Sequence, residues 1–269
     1  IARRTIAQGT IAREAIDCAA RSGFMQPMTI YAIGDIHGHL NLLRRAHEAV
    51  EADRARRGTA RAKLIHVGDL VDRGPDSAGV VDYLAGLTAT DDRVRVLRGN
   101  HDHMLLEFLN GTPKSASPRG AFDYLARNIG GRSTLESYGL NTGQGDRALL
   151  SAAAEKVPES HKAFLAALPF SHQEEECLFV HAGIRPGVAL AEQDPLDLIW
   201  IRDEFLIDVT DHGPLIVHGH TPADKVEHWG NRLNLDSGAA YGGPVSAVAI
   251  EGREAFLLTE SGRERVRIY

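Results

Sequence analysis

Thr29-Ile30-Tyr31-Ala32-Ile33 runs straight into Gly34-Asp35-Ile36-His37-Gly38, and that junction decides the fold. The first five residues form the short, largely apolar run of a buried strand. The glycine ends it, and two side chains able to hold a cation stand just beyond. Leu40, Leu43, Ala46 and Val50 then recur at helical spacing, with charges on the opposite face, so the unit is strand, polar loop, helix. It returns twice. Lys63-Leu64-Ile65-His66-Val67 meets Gly68-Asp69 ahead of a helical stretch with Val80, Val81 and Leu84, and Val94-Arg95-Val96-Leu97 meets Gly99-Asn100 ahead of Met104 to Leu109. Repeated βα units lie side by side with their carboxyl ends together, where open α/β sheets bind ligands.

Further along, Leu178-Phe179-Val180 precedes His181, Leu215-Ile216-Val217 precedes His218-Gly219-His220, and Leu233-Asn234-Leu235 precedes Asp236-Ser237-Gly238. The tail reads as short strands over Val245 to Ile250, Ala255 to Thr259 and Val266 to Tyr269, joined by turns at Glu251-Gly252 and Ser261-Gly262. The change from βα units to a meander predicts two packed sheets flanked by helices. Residues 110–145, rich in Gly, Ser, Asn and Pro, read as a helical and loop insertion near the site.

Composition bounds the chemistry. With 269 residues, 43% hydrophobic and 25% charged, the chain is an ordinary globular protein long enough to bury a large core. A formal charge of −6 argues against binding a nucleic-acid polymer, which takes a basic surplus. Cys18 and Cys177 stand far apart, which fits a reducing compartment and excludes a thiolate zinc cluster. No apolar run reaches the roughly 18 residues that span a bilayer, and no secretory core opens the chain. A cytoplasmic protein with no membrane partner is expected. Residues 1–27, with Arg3, Arg4, Arg13 and Arg21, read as an N-terminal extension.

The polar residues past the strand ends are carboxylates, imidazoles and a carboxamide, a thiol-free set suited to Mn, Fe or Zn. About six such ligands call for two ions. Asp35 and His37, on alternate residues, reach one ion; Asp69 bridges with its two oxygens; Asn100, His181 and His220 complete the other. Two cations roughly 3.5 to 4 Å apart stabilise both the attacking and the leaving oxygen of an in-line displacement and activate water at neutral pH, which is phosphoryl hydrolysis.

The motifs Gly34-Asp35-Ile36-His37-Gly38, Gly68-Asp69-Leu70-Val71-Asp72-Arg73-Gly74, Gly99-Asn100-His101, His181-Ala182-Gly183 and Gly219-His220-Thr221 resemble the metallophosphoesterase superfamily and, within it, the phosphoprotein phosphatases. The stretches Asp197-Leu198-Ile199-Trp200-Ile201-Arg202 and Asp236-Ser237-Gly238-Ala239-Ala240-Tyr241-Gly242-Gly243 are most similar to small bacterial serine/threonine phosphatases. The resemblance implies a four-layer α/β/β/α sandwich of the calcineurin-like type and one catalytic domain over 28–269. It implies two divalent ions, Mn2+ first with Fe or Zn as alternatives, on Asp35, His37, Asp69, Asn100, His181 and His220, with His218 at most in support. It also implies His101 as general acid, Asp72 as the carboxylate orienting it, and Arg73 and Arg202 as the phosphate clamp, with Arg98 ranked below them.

The expected reaction is attack of a metal-bridging hydroxide on phosphoserine or phosphothreonine in a protein or peptide. A symmetrical diadenosine polyphosphate hydrolase, acting on a dinucleotide polyphosphate, is the alternative, and an inactive binding module of the same fold is a further one. Two positions point opposite ways. Asp102 stands where protein phosphatases of this family have Glu and the dinucleotide hydrolases have Asp; Asp72 stands where those hydrolases typically have Ala. Isolated histidines (His39, His47, His66, His103, His172) read as surface or hydrogen-bonded core residues, and Glu174-Glu175-Glu176 as a solvated loop. Trp200 is expected behind Arg202, and Tyr241 at the cleft edge.

Overall fold

The computed structural model describes residues 28–118 and 120–269; Cys18 and the arginine-rich extension lie outside the described residues. From Met28 the chain runs β1 (Thr29–Ile33), α1 (Leu40–Arg57), β2 (Leu64–His66), α2 (Ser77–Thr90), β3 (Val94–Val96) and α3 (Asn100–Leu109). A hairpin follows, β4 (Lys114–Ser117) and β5 (Gly120–Asp123), then α4 (Gly131–Ser137), α5 (Asp146–Lys156) and α6 (Glu159–Ala167). Next come β6 (Ser171–Glu174), β7 (Cys177–Val180), α7 (Pro195–Trp200), α8 (Asp203–Leu206), β8 (Leu215–His218), β9 (Glu227–His228) and β10 (Arg232–Asn234). The meander β11 (Ala247–Glu251), β12 (Glu254–Thr259) and β13 (Gly262–Arg265) closes the chain.

Two main sheets form, ordered β13-β12-β11-β1-β2-β3 and β6-β7-β8-β10-β9. Strand alternation sorts their side chains into three cores. Ile30, Ala32, Ile65, Val248 and Ile250 of the first sheet meet Cys177, Phe179, Leu215, Val217 and Leu233 of the second. The opposite face of the first sheet, with Tyr31, Ile33, Leu64 and Ala249, packs on helix residues such as Leu43, Val50, Val81, Leu84 and Met104. The outer face of the second sheet, with Leu178, Val180 and Ile216, packs on Leu198 and Phe205 of α7 and α8. The order is therefore helices, sheet, sheet, helices, because each central strand is apolar on both faces.

Two local expectations change. The insertion carries the hairpin β4–β5 as well as helix. The last strand is Gly262–Arg265, paired from Thr259↔Gly262, and not Val266–Tyr269. Glu260-Ser261 makes a two-residue turn, so pairing resumes at Gly262. The final residues leave the meander, and Ile268 bridges His228 on the edge of the other sheet.

Each sheet contains three mutually parallel strands: β1, β2, β3 and β7, β8, β10. Their carboxyl ends lead to Asp35, Asp69, Asn100, His181, His220 and Asp236, and the two sheets nearly touch there. A Cβ on Gly34 would run into the carbonyl of Leu235 across the gap. Gly34→Ala should therefore force the sheet ends apart and cost about 1–3 kcal/mol. Gly86→Ala, in α2 with open space around its Cβ position, should gain about 0.5–1 kcal/mol. Urea unfolding of the two variants checks this, and equal midpoints would contradict the close approach.

Candidate active site

The backbone at the strand ends is bent out of its comfortable range. Of the six non-glycine residues with positive φ among those described, five are His37, Asp69, Asp72, Arg73 and His220. Such φ values cost energy in L-residues and persist where surrounding contacts enforce them. Here those contacts are hydrogen bonds between loops, with Ile36 and His37 N–H both donating to the Asp69 carbonyl (3.0 and 2.8 Å) and Gly38 N–H to that of Leu70 (2.8 Å).

Asp69 sits in the middle, 2% exposed. One carboxylate oxygen lies 3.5 Å from His37 Nε2 and the other 3.3 Å from His181 Nε2. The donor atoms converge in two groups able to hold a cation, His37, Asp69 and His101, and Asp69, His181 and His220. Asn100 joins the second, its Oδ1 3.0 Å from His181 Nε2 and 2.9 Å from His220 Nδ1. Asp35 stands outside both groups, where its carboxylate accepts the His220 N–H at 3.0 Å. A buried, thiol-free donor set sharing one carboxylate fits a pair of divalent cations.

The ring protons follow from the partners. Nδ1 of His37 donates to the Val71 carbonyl at 3.0 Å, which leaves its Nε2 lone pair facing inward, and burial pushes this imidazole down to about 3. His181 donates through Nδ1 to the Val67 carbonyl while its Nε2 faces acceptors on Asp69 and Asn100. Burial pulls its pKa down, but the charge and hydrogen bond of Asp69, with Asp35 and Asp102 behind, outweigh that and raise it to about 9. Asp69 is held well below the usual range: burial alone would raise it, but the charge of His181, backed by its hydrogen bond and by the neighbouring His101 and His37, prevails. Burial, then the charge of Asp236, lifts Asp35 well above it. Without a cation, a proton on His181 offsets this buried negative charge.

Around this centre stand the other residues that the motifs single out. His101 Nδ1 donates to Asp72 Oδ2 at 2.7 Å, both buried. Arg73 Nη1 reaches His37 Nε2 at 3.1 Å, and Arg202 Nε reaches His220 Nε2 at 2.9 Å, so a guanidinium flanks each side. Tyr241 is exposed, with Arg73 5.5 Å from its ring centroid, as expected of a cleft-edge residue. Trp200 stacks on Phe122 at 4.8 Å and meets His220 edge-on. Arg98 donates to the carbonyls of Leu165 and Ala166 (3.1 and 2.6 Å), tying α6 in place, and His218 Nδ1 lies against the Gly219 carbonyl. His47 and His66 form a hydrogen-bonded core pair at 2.8 Å.

Asp102 has a local job. Its oxygens accept the N–H groups of Leu70 (2.9 Å) and Gly99 (2.8 Å), and it is fully buried. It caps α3 and splints the Asp69 loop. Asp236, which the motifs do not single out as a site residue, lies in the site by charge and position: 4% exposed, it follows the sixth parallel strand. A strand ending in Asp-Ser-Gly was the available signal. Tyr124 and Thr134 also reach the site, through Asp72.

Two groups able to hold a cation at the strand ends, with a buried His101–Asp72 pair and two arginines beside them, are the arrangement of a metal-dependent phosphoester hydrolase. The chain belongs to the calcineurin-like phosphoesterase family, which it matches over residues 28–249 and which uses a binuclear divalent metal centre. It is 27% identical over 234 residues to bis(5'-nucleosyl)-tetraphosphatase PrpE [asymmetrical] of Anoxybacillus flavithermus, covering 80% of this chain and 88% of that one. It is 26% identical over 237 residues to serine/threonine-protein phosphatase 1 of Salmonella typhimurium, covering 82% and 92%. Its fold is shared with a cold-active protein-tyrosine phosphatase of a Shewanella species (TM-score 0.59, 16% identity, 90% of this chain and 81% of that one). Among the described residues, no helix is long and apolar enough to cross a membrane.

A cation that takes His181 Nε2 as a ligand displaces the proton there. Since His181 holds that proton up to about 9, Mn2+ affinity should rise with pH, by up to about tenfold per unit below that value, and binding should release a proton. Calorimetry at pH 6.5 and 8.5, in buffers of different ionisation enthalpy, tests this; a pH-independent affinity without proton release would contradict it.

Proposed function

We propose that this enzyme hydrolyses phosphomonoesters, with phosphoserine and phosphothreonine in proteins as its substrates and Mn2+ as the preferred ion. The observation that carries this reading is the buried His101–Asp72 pair at 2.7 Å. An alkoxide leaving from serine or threonine needs a proton, whereas a nucleotide leaving from a polyphosphate is already a stable anion. A carboxylate-backed imidazole is built for the first task.

In this reading Asp35, His37, Asp69, Asn100, His181 and His220 hold the ions. The ions, when bound, supply positive charge that neutralises phosphoryl oxygens and acidifies water. Arg73 and Arg202 draw the phosphoryl group in from opposite sides, each offering the paired donors of a guanidinium to phosphate oxygens. As the ester bond breaks, charge builds on the leaving oxygen and His101 delivers its proton from Nε2. Asp72 holds Nδ1–H and stabilises the imidazolium beforehand. Residues 28–269 act as one catalytic domain, with 1–27 an extension and 110–145 an insertion beside the cleft.

A second reading has its own support: the similarity to PrpE favours a dinucleotide polyphosphate, and that relative's name specifies asymmetrical cleavage. Its products would be AMP and ATP from diadenosine tetraphosphate, whereas symmetrical cleavage gives ADP alone. Asp102 lends this reading no direct weight, since its carboxylate is spent on backbone.

Phosphopeptide and diadenosine tetraphosphate should be assayed side by side with Mn2+. The phosphopeptide should have the higher kcat/KM, and a strong preference for the dinucleotide would overturn the substrate assignment. His101→Asn should lower kcat on phosphoserine peptide by about 10²–10⁴-fold with little change in KM; unchanged turnover would remove the acid role.

A further inference from the structure

We propose that Tyr124 and Thr134 are positioning residues of the acid pair, fixing Asp72 so that His101 can protonate the leaving oxygen. This rests on the reading of His101 as general acid. The hydrogen bonds around Asp72 have one self-consistent assignment. Tyr124 O–H and Thr134 O–H both donate to Asp72 Oδ1, at 2.8 and 2.7 Å. His101 Nδ1–H takes Oδ2 at 2.7 Å. Thr134 has only one proton to give, so in its contact with Ser77 at 2.9 Å the serine donates. The Asp72 N–H closes the ring by donating to both Thr134 Oγ1 (2.8 Å) and Ser77 Oγ (3.1 Å).

Asp72 is thus gripped from both its backbone and its carboxylate. With Oδ1 filled by two hydroxyls, Oδ2 is the oxygen presented to His101, and the carboxylate plane cannot turn. Tyr124 stays a donor: burial first, then the charge of Asp72, raises its phenol well above the ordinary range. The grip comes from outside the strand-end motifs, from the segment between α3 and α5. Tyr124 is fully buried against Phe108, ring centroids 4.9 Å apart, and Phe122 on the same segment stacks on Trp200.

Gly130 and Gly131 let the segment close. A Cβ on Gly131 would strike the Tyr124 carbonyl and ring, and one on Gly130 the backbone of Arg73, whose N–H donates to the Gly130 carbonyl. Both Asp72 and Arg73 sit at positive φ, 72° and 69°, a strain this contact helps hold. A buried tyrosine with a satisfied hydroxyl can equally be plain core, so the test must separate positioning from stability.

The experiment compares two monoesters on the Mn2+-loaded enzyme. p-Nitrophenyl phosphate releases a weakly basic phenolate that departs without a proton; a phosphoserine peptide releases an alkoxide that needs one. Tyr124→Phe and Thr134→Val should each lower kcat on the phosphopeptide by about 5–30-fold, part of what the acid supplies, and change p-nitrophenyl phosphate turnover by less than about twofold. Thr134→Ser, which keeps the hydroxyl, should restore the wild-type ratio. Proportional losses on both substrates, or none on either, would overturn the proposal. Tyr124→Phe removes a single oxygen and decides the matter should Thr134→Val fail to fold. His101→Asn, run in parallel, separates the two levels. If it splits the substrates while Tyr124→Phe does not, the positioning role alone falls; if it does not split them, the acid role falls and takes the positioning role with it.

Discussion

A buried carboxylate, Asp69, with a histidine near each of its two oxygens, is the constraint around which the rest is arranged. Burying such a charge unpaired is prohibitive. The protein surrounds it with imidazoles and with the N–H of His101, 3.0 Å from Oδ1, at the first turn of α3, where unpaired backbone amides favour negative charge. In the absence of a cation, protonation of His181 completes the neutralisation. The groups able to hold an ion are therefore also the groups that balance this buried charge.

Parallel strands explain how residues more than a hundred positions apart meet at that carboxylate. Three parallel strands in each sheet point their carboxyl ends at the same edge, so six loops contribute to one small volume. The positive φ values of His37, Asp69, Asp72, Arg73 and His220 are the local cost of turning side chains inward in the loops that follow the strands. Core packing on both faces of the sheets supplies the stiffness that keeps those conformations in place.

The relatives this chain resembles are named for different phosphoryl substrates, a dinucleotide tetraphosphate and phosphoserine or phosphothreonine in proteins. What differs between substrates is the leaving group and the surface around the phosphate. That places weight on His101, on Asp72, and on the segment from the hairpin β4–β5 to α4 that encloses them.

The amino-acid sequence by itself determined the strand-end motifs and their chemistry, because each motif is local: a run of apolar residues, a glycine that turns, and a polar side chain at once behind it. From these followed the βα units, the two sheets, and the cation-capable and arginine residues that the fold brings together. Tertiary structure alone decided what depended on distant partners. Asp102 carried a substrate signal in the sequence, but its two oxygens are consumed by Leu70 and Gly99. The final strand shifted to Gly262–Arg265 because pairing with β12 outweighed the apolar pattern at Val266 to Tyr269. Tyr124 and Thr134 belong to no motif, since nothing about a lone hydroxyl in such a stretch tells which carboxylate it will reach. Asp236 lies between these cases, written at a strand end like the others, yet joined to the site only once β10 lies beside β8 and its carboxylate comes within electrostatic reach of Asp35.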